Sequence, residues 1–409
     1  MTGLLFKVAA AQFELRSGAA QDAIATVAST MEEMHAAPAA TFPTGTDMRM
    51  TVDVYGSVIA LLGHLLLGQT AQARETMMVV HQHMKHYNPQ QAPGSATYSF
   101  EWLSRKQLFV LVYLASVGVT TSLGDAEKAQ NYATKAMTIV NRQLVSSSVV
   151  GVRLETCQTL KVLLLESTAL LKLGEGNFAE ALQDIGTITE LIETADANLD
   201  GHRSSVHSLL GAYFHAGGEH AEAAAHYKKA IEVANCDLES VQANVSLVAV
   251  RVNSSASAAW AAPLDAASQQ LSSSGATSPK ESVWAAYSAA VALILRDEFA
   301  SARALLEGSV PTAKLVSKKL YIVHLLLIGA CLGKESKDDE AEVMISHGLS
   351  RAKDLQDLYL HAWAASVAKE VAPALDRAEL KGALVQLETA RTAIAQESPQ
   401  YRAAASFAL

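Results

Sequence analysis

The chain has little of what punctuates or staples most folds. Three of its 409 residues are cysteine, Cys157, Cys236 and Cys331. An odd number so widely spaced builds neither a disulfide framework nor a zinc site, and it fits a reducing compartment. Glycine (23) and proline (9) are sparse, and aromatics make up 6%. Runs of β-branched residues between turn dipeptides, the mark of sheets, are nearly missing. No apolar run approaches the roughly 20 residues that span a bilayer; the longest, 108–119 and 320–332, read as buried helices. Basic charge is not in excess, with 32 Lys and Arg against 41 Asp and Glu for a formal charge of −9. A duplex-binding protein shows the opposite, a basic domain or stripe. The start, MTGLLFKVAAAQF, lacks a basic leader and is broken by Lys7, so no signal peptide is expected.

What is present is alanine and leucine, in a chain that is 50% hydrophobic. Both residues lose little conformational freedom in a helix, so the chain reads as all-α. Self-comparison finds a repeat, best seen in Val206–Glu239, VHSLLGAYFHAGGEHAEAAAHYKKAIEVANCDLE. There Gly211, Phe214, Gly218, Ala223, Tyr227 and Ala230 fall at tetratricopeptide spacings, with small residues where two helices cross and aromatics between them. A turn residue followed five positions later by alanine recurs as Gly18/Ala23, Gly68/Ala73, Gly124/Ala129 and Gly176/Ala181. Asp297/Ala302 and Ser336/Ala341 continue the series without glycine. Each turn residue ends a helix where φ > 0 is favoured, and each alanine permits close helix approach. The first five turns are 50, 56, 52 and 42 residues apart, against about 34 in a regular array. A degenerate unit is expected in the long step from Gly218 to Asp297.

These features predict a right-handed tetratricopeptide-like solenoid of antiparallel helix pairs. It is read as one continuous domain over 1–370, followed by a C-terminal helix and tail over 371–409. Connectors are expected near 36–46, 86–97 and 253–281. Placing each copy on the repeat puts Tyr55, Val58, Leu62 and Leu65, then Leu111 and Leu114, then Leu163, Leu170 and Leu173 on the inner wall. Trp284, Tyr287, Val291 and Ile294 follow, with Val323 and Leu326. Only the Val206 unit is polar there, at Ser205, Ser208 and His215. An exposed apolar wall marks an interaction site. Either a tightly wound superhelix packs this wall on itself, or a segment of a partner protein fills the groove.

No arrangement reads as an active site. His81, His83 and His86 form H-x-H-x-x-H, but helical zinc ligands want i and i+4; solvated histidines near a helix C-terminus fit better. Gly329-Ala-Cys-Leu-Gly333-Lys334-Glu335 lacks the spacing and the Ser or Thr of a phosphate loop and follows a helix instead of a strand. His202, His207, His215 and His220 lie within the best repeat and read as surface or inter-helix residues. Ser278-Pro279-Lys280 sits in an expected flexible loop and has the form of a proline-directed kinase acceptor. The chain is therefore read as a non-enzymatic scaffold without cofactor, metal, small-molecule substrate or membrane contact.

One stretch is more distinctive. Phe100-Glu-Trp102-Leu103 opens an apolar helix that runs through Leu111-Val-Tyr113-Leu114, then Gly124-Asp-Ala-Glu-Lys-Ala129-Gln-Asn-Tyr132-Ala-Thr-Lys135-Ala136 follows. It resembles the cohesin-loading factor family, in which an F-x-W-L segment opens a helix ending in L-V-Y-L before an E-K-A-Q-x-Y helix. The VHSLLGAYF unit resembles that family's L-H-x-L-L-G-x-Y repeat, and the similarity runs from about residue 5 to 370. The resemblance implies a nuclear, chromatin-associated scaffold paired with a large HEAT-repeat loader subunit, whose N-terminal segment threads the superhelix, and linked indirectly to cohesin and chromatin. It also implies further helix pairs before the region where this chain begins. A basic surface for chromosomal receptors is placed on Lys314, Lys318 and Lys319. The competing reading is a general tetratricopeptide adaptor or sensor unrelated to cohesin; an inner wall carrying a Lys, Arg and Asn carboxylate clamp would favour it, and the sequence shows none.

Overall fold

The computed structural model describes residues 2–16, 19–37, 48–86, 105–145, 152–195, 198–251, 257–273, 278–371 and 377–397. Among these the protein is built of 18 α-helices and no strand, as its alanine and leucine content requires. Successive helices pair antiparallel. The residues divide into two compact units, Met1–Leu123 with Glu127–Ser148, and Gly124–Ala126 with Val149–Leu409.

The first unit holds three pairs: α1 (Thr2–Arg16) with α2 (Ala20–Ala36), α3 (Met48–Leu66) with α4 (Thr70–His86), and α5 (Arg105–Ser122) with α6 (Ala126–Leu144). One apolar core runs through Val8, Val27, Tyr55, Val58, Leu108 and Val112. The second unit holds six pairs. These are α7 (Val152–Glu175) with α8 (Phe178–Thr194), α9 (Arg203–Ala216) with α10 (His220–Glu232), and α11 (Asp237–Arg251) with α12 (Ala261–Ser273). Then come α13 (Pro279–Ile294) with α14 (Phe299–Val316), α15 (Lys318–Lys334) with α16 (Asp338–Asp354), and α17 (Leu358–Val371) with α18 (Arg377–Glu397).

The repeat skeleton read from the sequence is visible in the backbone. Gly68, Gly124, Gly176 and Gly218 have φ between 68° and 82°, and the substitutes Asp297 and Ser336 adopt 61° and 62°. Gly18 lies outside the described residues. At five of these six turns the next N–H returns to a carbonyl five residues back, as in Gln69 to His64 (2.8 Å), Glu219 to Phe214 (2.9 Å) and Glu298 to Leu293 (3.0 Å). This closes the last helical turn on itself. All seven alanines that follow, Ala23, Ala73, Ala129, Ala181, Ala223, Ala302 and Ala341, are completely buried, as are Ala136 and Ala230. In the best repeat, a Cβ on Gly211 would lie 2.6–2.9 Å from the ring of Tyr227, so α9 and α10 approach through a glycine with the aromatic packed over it.

Two expectations change. The degenerate unit exists as α11 and α12, so much of the stretch 253–281 read as a loop is helical. Leu264, Ala267, Ser268 and Leu271 of α12 are buried at helical spacing. Pro263 falls in the first turn, where no N–H is needed, so it does not stop the helix. Ser278, read as a loop serine, caps α13: its Oγ accepts the Glu281 N–H, and the Glu281 carboxylate accepts the Ser278 N–H (2.7 Å). The capping box spans a Pro at the first helical position. The connectors at 38–46 and 87–97 lie outside the described residues.

Gly211→Ala drives a methyl into the Tyr227 ring and should lower unfolding free energy by about 1–3 kcal/mol. Gly218→Ala meets no atom within 4 Å and bears only the left-handed backbone cost of about 1–2 kcal/mol. Urea melts of the two variants decide it; a Gly211→Ala protein as stable as the parent would mean the helices do not cross there.

Candidate functional site

The positions expected on an inner wall differ in what they can offer. In the first unit Tyr55 and Val58 are enclosed at 1% and 0% exposure, and Leu62, Leu65 and Leu111 are partly buried against the same core; Leu114 is also half-buried. In the second unit Leu163 is half-buried, Leu173 buried, and Leu170 projects with 54% of its surface exposed. Trp284, Tyr287 and Val291 come together on α13, partly buried against the α11–α12 core. The rings of Trp284 and Tyr287 meet edge-on at 5.6 Å. Burial pushes the Tyr287 hydroxyl up to about 12. Ile294 and Val323 are half-buried and Leu326 is fully enclosed, so α15 contributes core more than surface.

The polar Val206 unit has a structural explanation. The His215 ring meets Tyr359 of α17, with the Tyr359 hydroxyl 2.9 Å from His215 Nε2. Arg391 of α18 donates through Nε to the Ala216 carbonyl (2.8 Å) at the end of α9. Deeper in the pair, His207 and His226 face each other with Nδ1 atoms 3.2 Å apart, and His226 stacks on Phe214 at 5.3 Å. His202 pairs with Glu166 (3.0 Å), which holds its pKa above the ordinary value through that hydrogen bond. These histidines tie helices together; none projects as an isolated nucleophile or base.

A second feature is a cavity of 480 Å³ in the first unit, lined by Met77, Met78, His81, Gln82, Lys85 and Tyr132. His81 stacks on Tyr132 (5.3 Å), Tyr113 stacks on Tyr132 (5.9 Å), and His81 Nε2 lies 2.9 Å from Ser116 Oγ. Burial first, then the charges of Lys135 and Lys85, hold His81 below its ordinary pKa. His81 is therefore a packed, neutral ring and not the solvated residue expected from the sequence. An apolar floor flanked by two ammonium groups can take an apolar side chain next to an anionic one. The sequence signal was there in Tyr113, Tyr132 and Lys135, but only folding brings α4 against them.

Phe100, Trp102 and Leu103 lie outside the described residues. Phe214 and Tyr227 are buried at 6% and 5%. Lys314 and Lys318 are exposed, while Lys319 reaches Asp357 (2.6 Å). The glycines of the phosphate-loop-like stretch are packing positions: a Cβ on Gly329 would lie 2.5 Å from Ile345, and one on Gly333 2.5 Å from Val371. Among the described residues no three His, Cys, Asp or Glu side chains converge as a metal site. No helix among them is long and apolar enough to cross a membrane.

Residues 4–374 match the family model described as cohesin loading factor. The chain is 25% identical over 287 residues to the MAU2 chromatid cohesion factor homolog of Nematostella vectensis, a match covering 68% of this chain and 46% of that protein. It is 32% identical over 124 residues to the MAU2 chromatid cohesion factor homolog of Drosophila mojavensis, covering 29% of this chain and 19% of that one. The chain thus spans less than half the length of these curated relatives. In shape it is similar to a crystal structure of a Rap protein complexed with competence and sporulation factor. That likeness has a TM-score of 0.53 at 10% identity and covers 91% of this chain and 99% of that one; it is a likeness of fold alone.

Burial is the first cause that holds His207, His215 and His226 below the ordinary 6.5, the last two at about 4. Unfolded, each takes up its proton near 6.5; folded, His215 and His226 resist until about 4. Their contribution to stability is complete above pH 6.5 and is lost progressively as pH falls towards 4. Thermal melts over that window should show a falling Tm, and His226→Gln should flatten the slope. A slope identical in parent and variant would exclude His226 as a source.

Proposed function

The chain belongs to the cohesin loading factor family, and from that premise we propose that it is a non-enzymatic scaffold subunit of a cohesin loader. It holds the N-terminal segment of the large HEAT-repeat loader subunit along the inner wall and so helps to place cohesin on chromatin for sister chromatid cohesion. Its setting in this reading is the nucleus, on chromatin, with cohesin reached through the partner.

The observation that carries the reading is Leu170. A leucine 54% exposed on a wall shared with half-buried Leu163 is stable in water only at the cost of unburied apolar surface. About 25 cal/mol per Å² returns when a partner covers it. The half-buried Trp284, Tyr287 and Val291 offer a second apolar patch of the kind that concentrates binding energy, with the tryptophan as an anchor. In this reading Tyr55, Leu62, Leu111 and Leu114 support the stripe of the first unit from within, and Leu326 that of the second. The exposed pair Lys314 and Lys318, with Lys319, is assigned to an acidic chromosomal receptor; its strength would fall with salt.

Co-expression with the N-terminal segment of the same organism's large loader subunit, purified through one tag, tests the reading. The two should co-elute, and a folded chain that never carries the segment overturns it. Leu170→Asp should weaken the complex at least about tenfold by calorimetry, with helicity unchanged because Leu170 is already exposed. Unchanged affinity would remove this wall from the interface.

A further inference from the structure

The packing order of the second unit closes on itself. Pairs stack in sequence from α7–α8 to α17–α18, and the last pair then returns to the first: α17 packs against α7, and α18 against α8. Two chemically different interfaces therefore hold α17 and α18. Towards α15 and α16 the contact is apolar and dry, built of Ile322, Leu326, Ile345, Leu349, Leu360, Ala364 and Ala368, each at most 7% exposed. Towards α7, α8 and α9 it is polar and made largely at helix ends. Tyr359 bonds His215, Arg391 bonds the Ala216 carbonyl, and the Asp357 carboxylate sits where a Cβ on Gly174 would touch it at 3.4 Å. Leu358 and Ala390 are apolar exceptions, both lying against Gly176.

This closing contact is also imperfectly filled. A cavity of 350 Å³ lies in it, lined by Glu175, Lys353, Gln356, Asp357, His361 and Gln386 among others. Ala352 and Leu358 complete a lining that is otherwise polar, and a cavity of that size with mostly polar walls holds several water molecules. Separating a wet, hydrogen-bonded contact exchanges protein partners for water at a small net cost, about 0.5–1.5 kcal/mol per bond. Separating the alanine-lined stack exposes apolar surface with no compensation. The contact that yields first is therefore the one between the two ends of the ring. In a stacked array each unit touches only its neighbours, so small rotations at several interfaces add up to a large displacement at the ends.

We propose that the contact of α17 and α18 with α7, α8 and α9 is a seam at which this closed unit opens, admitting an extended protein segment sideways instead of by threading a free end. The proposal rests on the reading that the inner wall holds such a segment. Opening leaves α17 and α18 attached to α15 and α16, and Tyr359 and Arg391 leave His215 and the Ala216 carbonyl to water.

The full chain carrying Gly174→Cys and Asp357→Cys, with Cys236→Ser to remove the exposed thiol, can be locked by oxidation. The native Asp357 Cγ is 3.6 Å from a Cβ built on Gly174, within reach of a disulfide. In the free protein, oxidation should slow amide exchange in α17 and α18 at least tenfold and leave α13 and α14 unchanged. Tyr359→Phe with Arg391→Ala should speed exchange in the same two helices, which keeps the test valid if the cysteine variant misfolds. Exchange in α17 and α18 indifferent to both changes overturns the seam. The binding probe is the N-terminal segment of the large loader subunit fused at both ends to folded domains, which cannot thread. The reduced chain should bind it as fast as the bare segment, and the oxidised chain at least a hundredfold more slowly; equal rates for oxidised and reduced chains overturn the proposal. If even the bare segment fails to bind the reduced chain, the partner assignment falls, and the exchange measurement alone decides the seam.

Discussion

The architecture depends on how a helix is made to reverse. Within three residues the chain must leave one helix and start the next, and it does so through one left-handed residue that lets the following N–H reach a carbonyl five positions back. That hydrogen bond satisfies helix-end carbonyls that would otherwise be orphaned. Five residues later the returning helix crosses its partner so closely that only a methyl fits, which is why those alanines have no exposed surface. Turn and crossing together fix the geometry of a pair, and repetition of pairs then stacks the solenoid. Larger side chains act as fill: Tyr227 lies over Gly211, and Ile345 over Gly329.

This constraint explains what could be read in advance. Gly68, Gly124, Gly176 and Gly218 announce the left-handed residue because glycine alone adopts it freely, and the alanine at a fixed distance confirms each. Asp297 and Ser336 were recoverable only because the alanine register held beyond them. The pair α11–α12 was legible as a gap and not as helices, since its connecting residues carry no turn glycine and Pro263 mimics a break. Gln356 gave no signal at all. It takes φ 56° in a turn between pairs, where no alanine register follows, so nothing in the local pattern separates it from an ordinary helical glutamine.

The candidate sites were less legible than the fold, for a physical reason. A helical position on the inner stripe is core or surface depending on its neighbours in the next pair, which spacing does not report. Leu170 and Leu326 occupy similar pattern positions, yet one is 54% exposed and the other fully enclosed. The polar run at Ser205, Ser208 and His215 looked like an interruption of an apolar wall. Folding shows its cause at His215, which meets Tyr359 144 residues away in sequence. The aromatic cluster of His81, Tyr113 and Tyr132 likewise draws on three helices, and a scan for local metal spacing at His81 could not have found it.

Among the described residues, the three left-handed residues that are not glycine, Asp297, Ser336 and Gln356, all belong to the later part of the chain. Each holds a conformation that costs an L-residue about 1 kcal/mol or more, whereas the earlier turns are spared that cost by glycine. Stability is therefore graded along the second unit, and local unfolding should begin in the pairs from α13 onwards before it reaches α7 to α10. Such a gradient gives the second unit a direction, with the pairs from α13 onwards as its more compliant end.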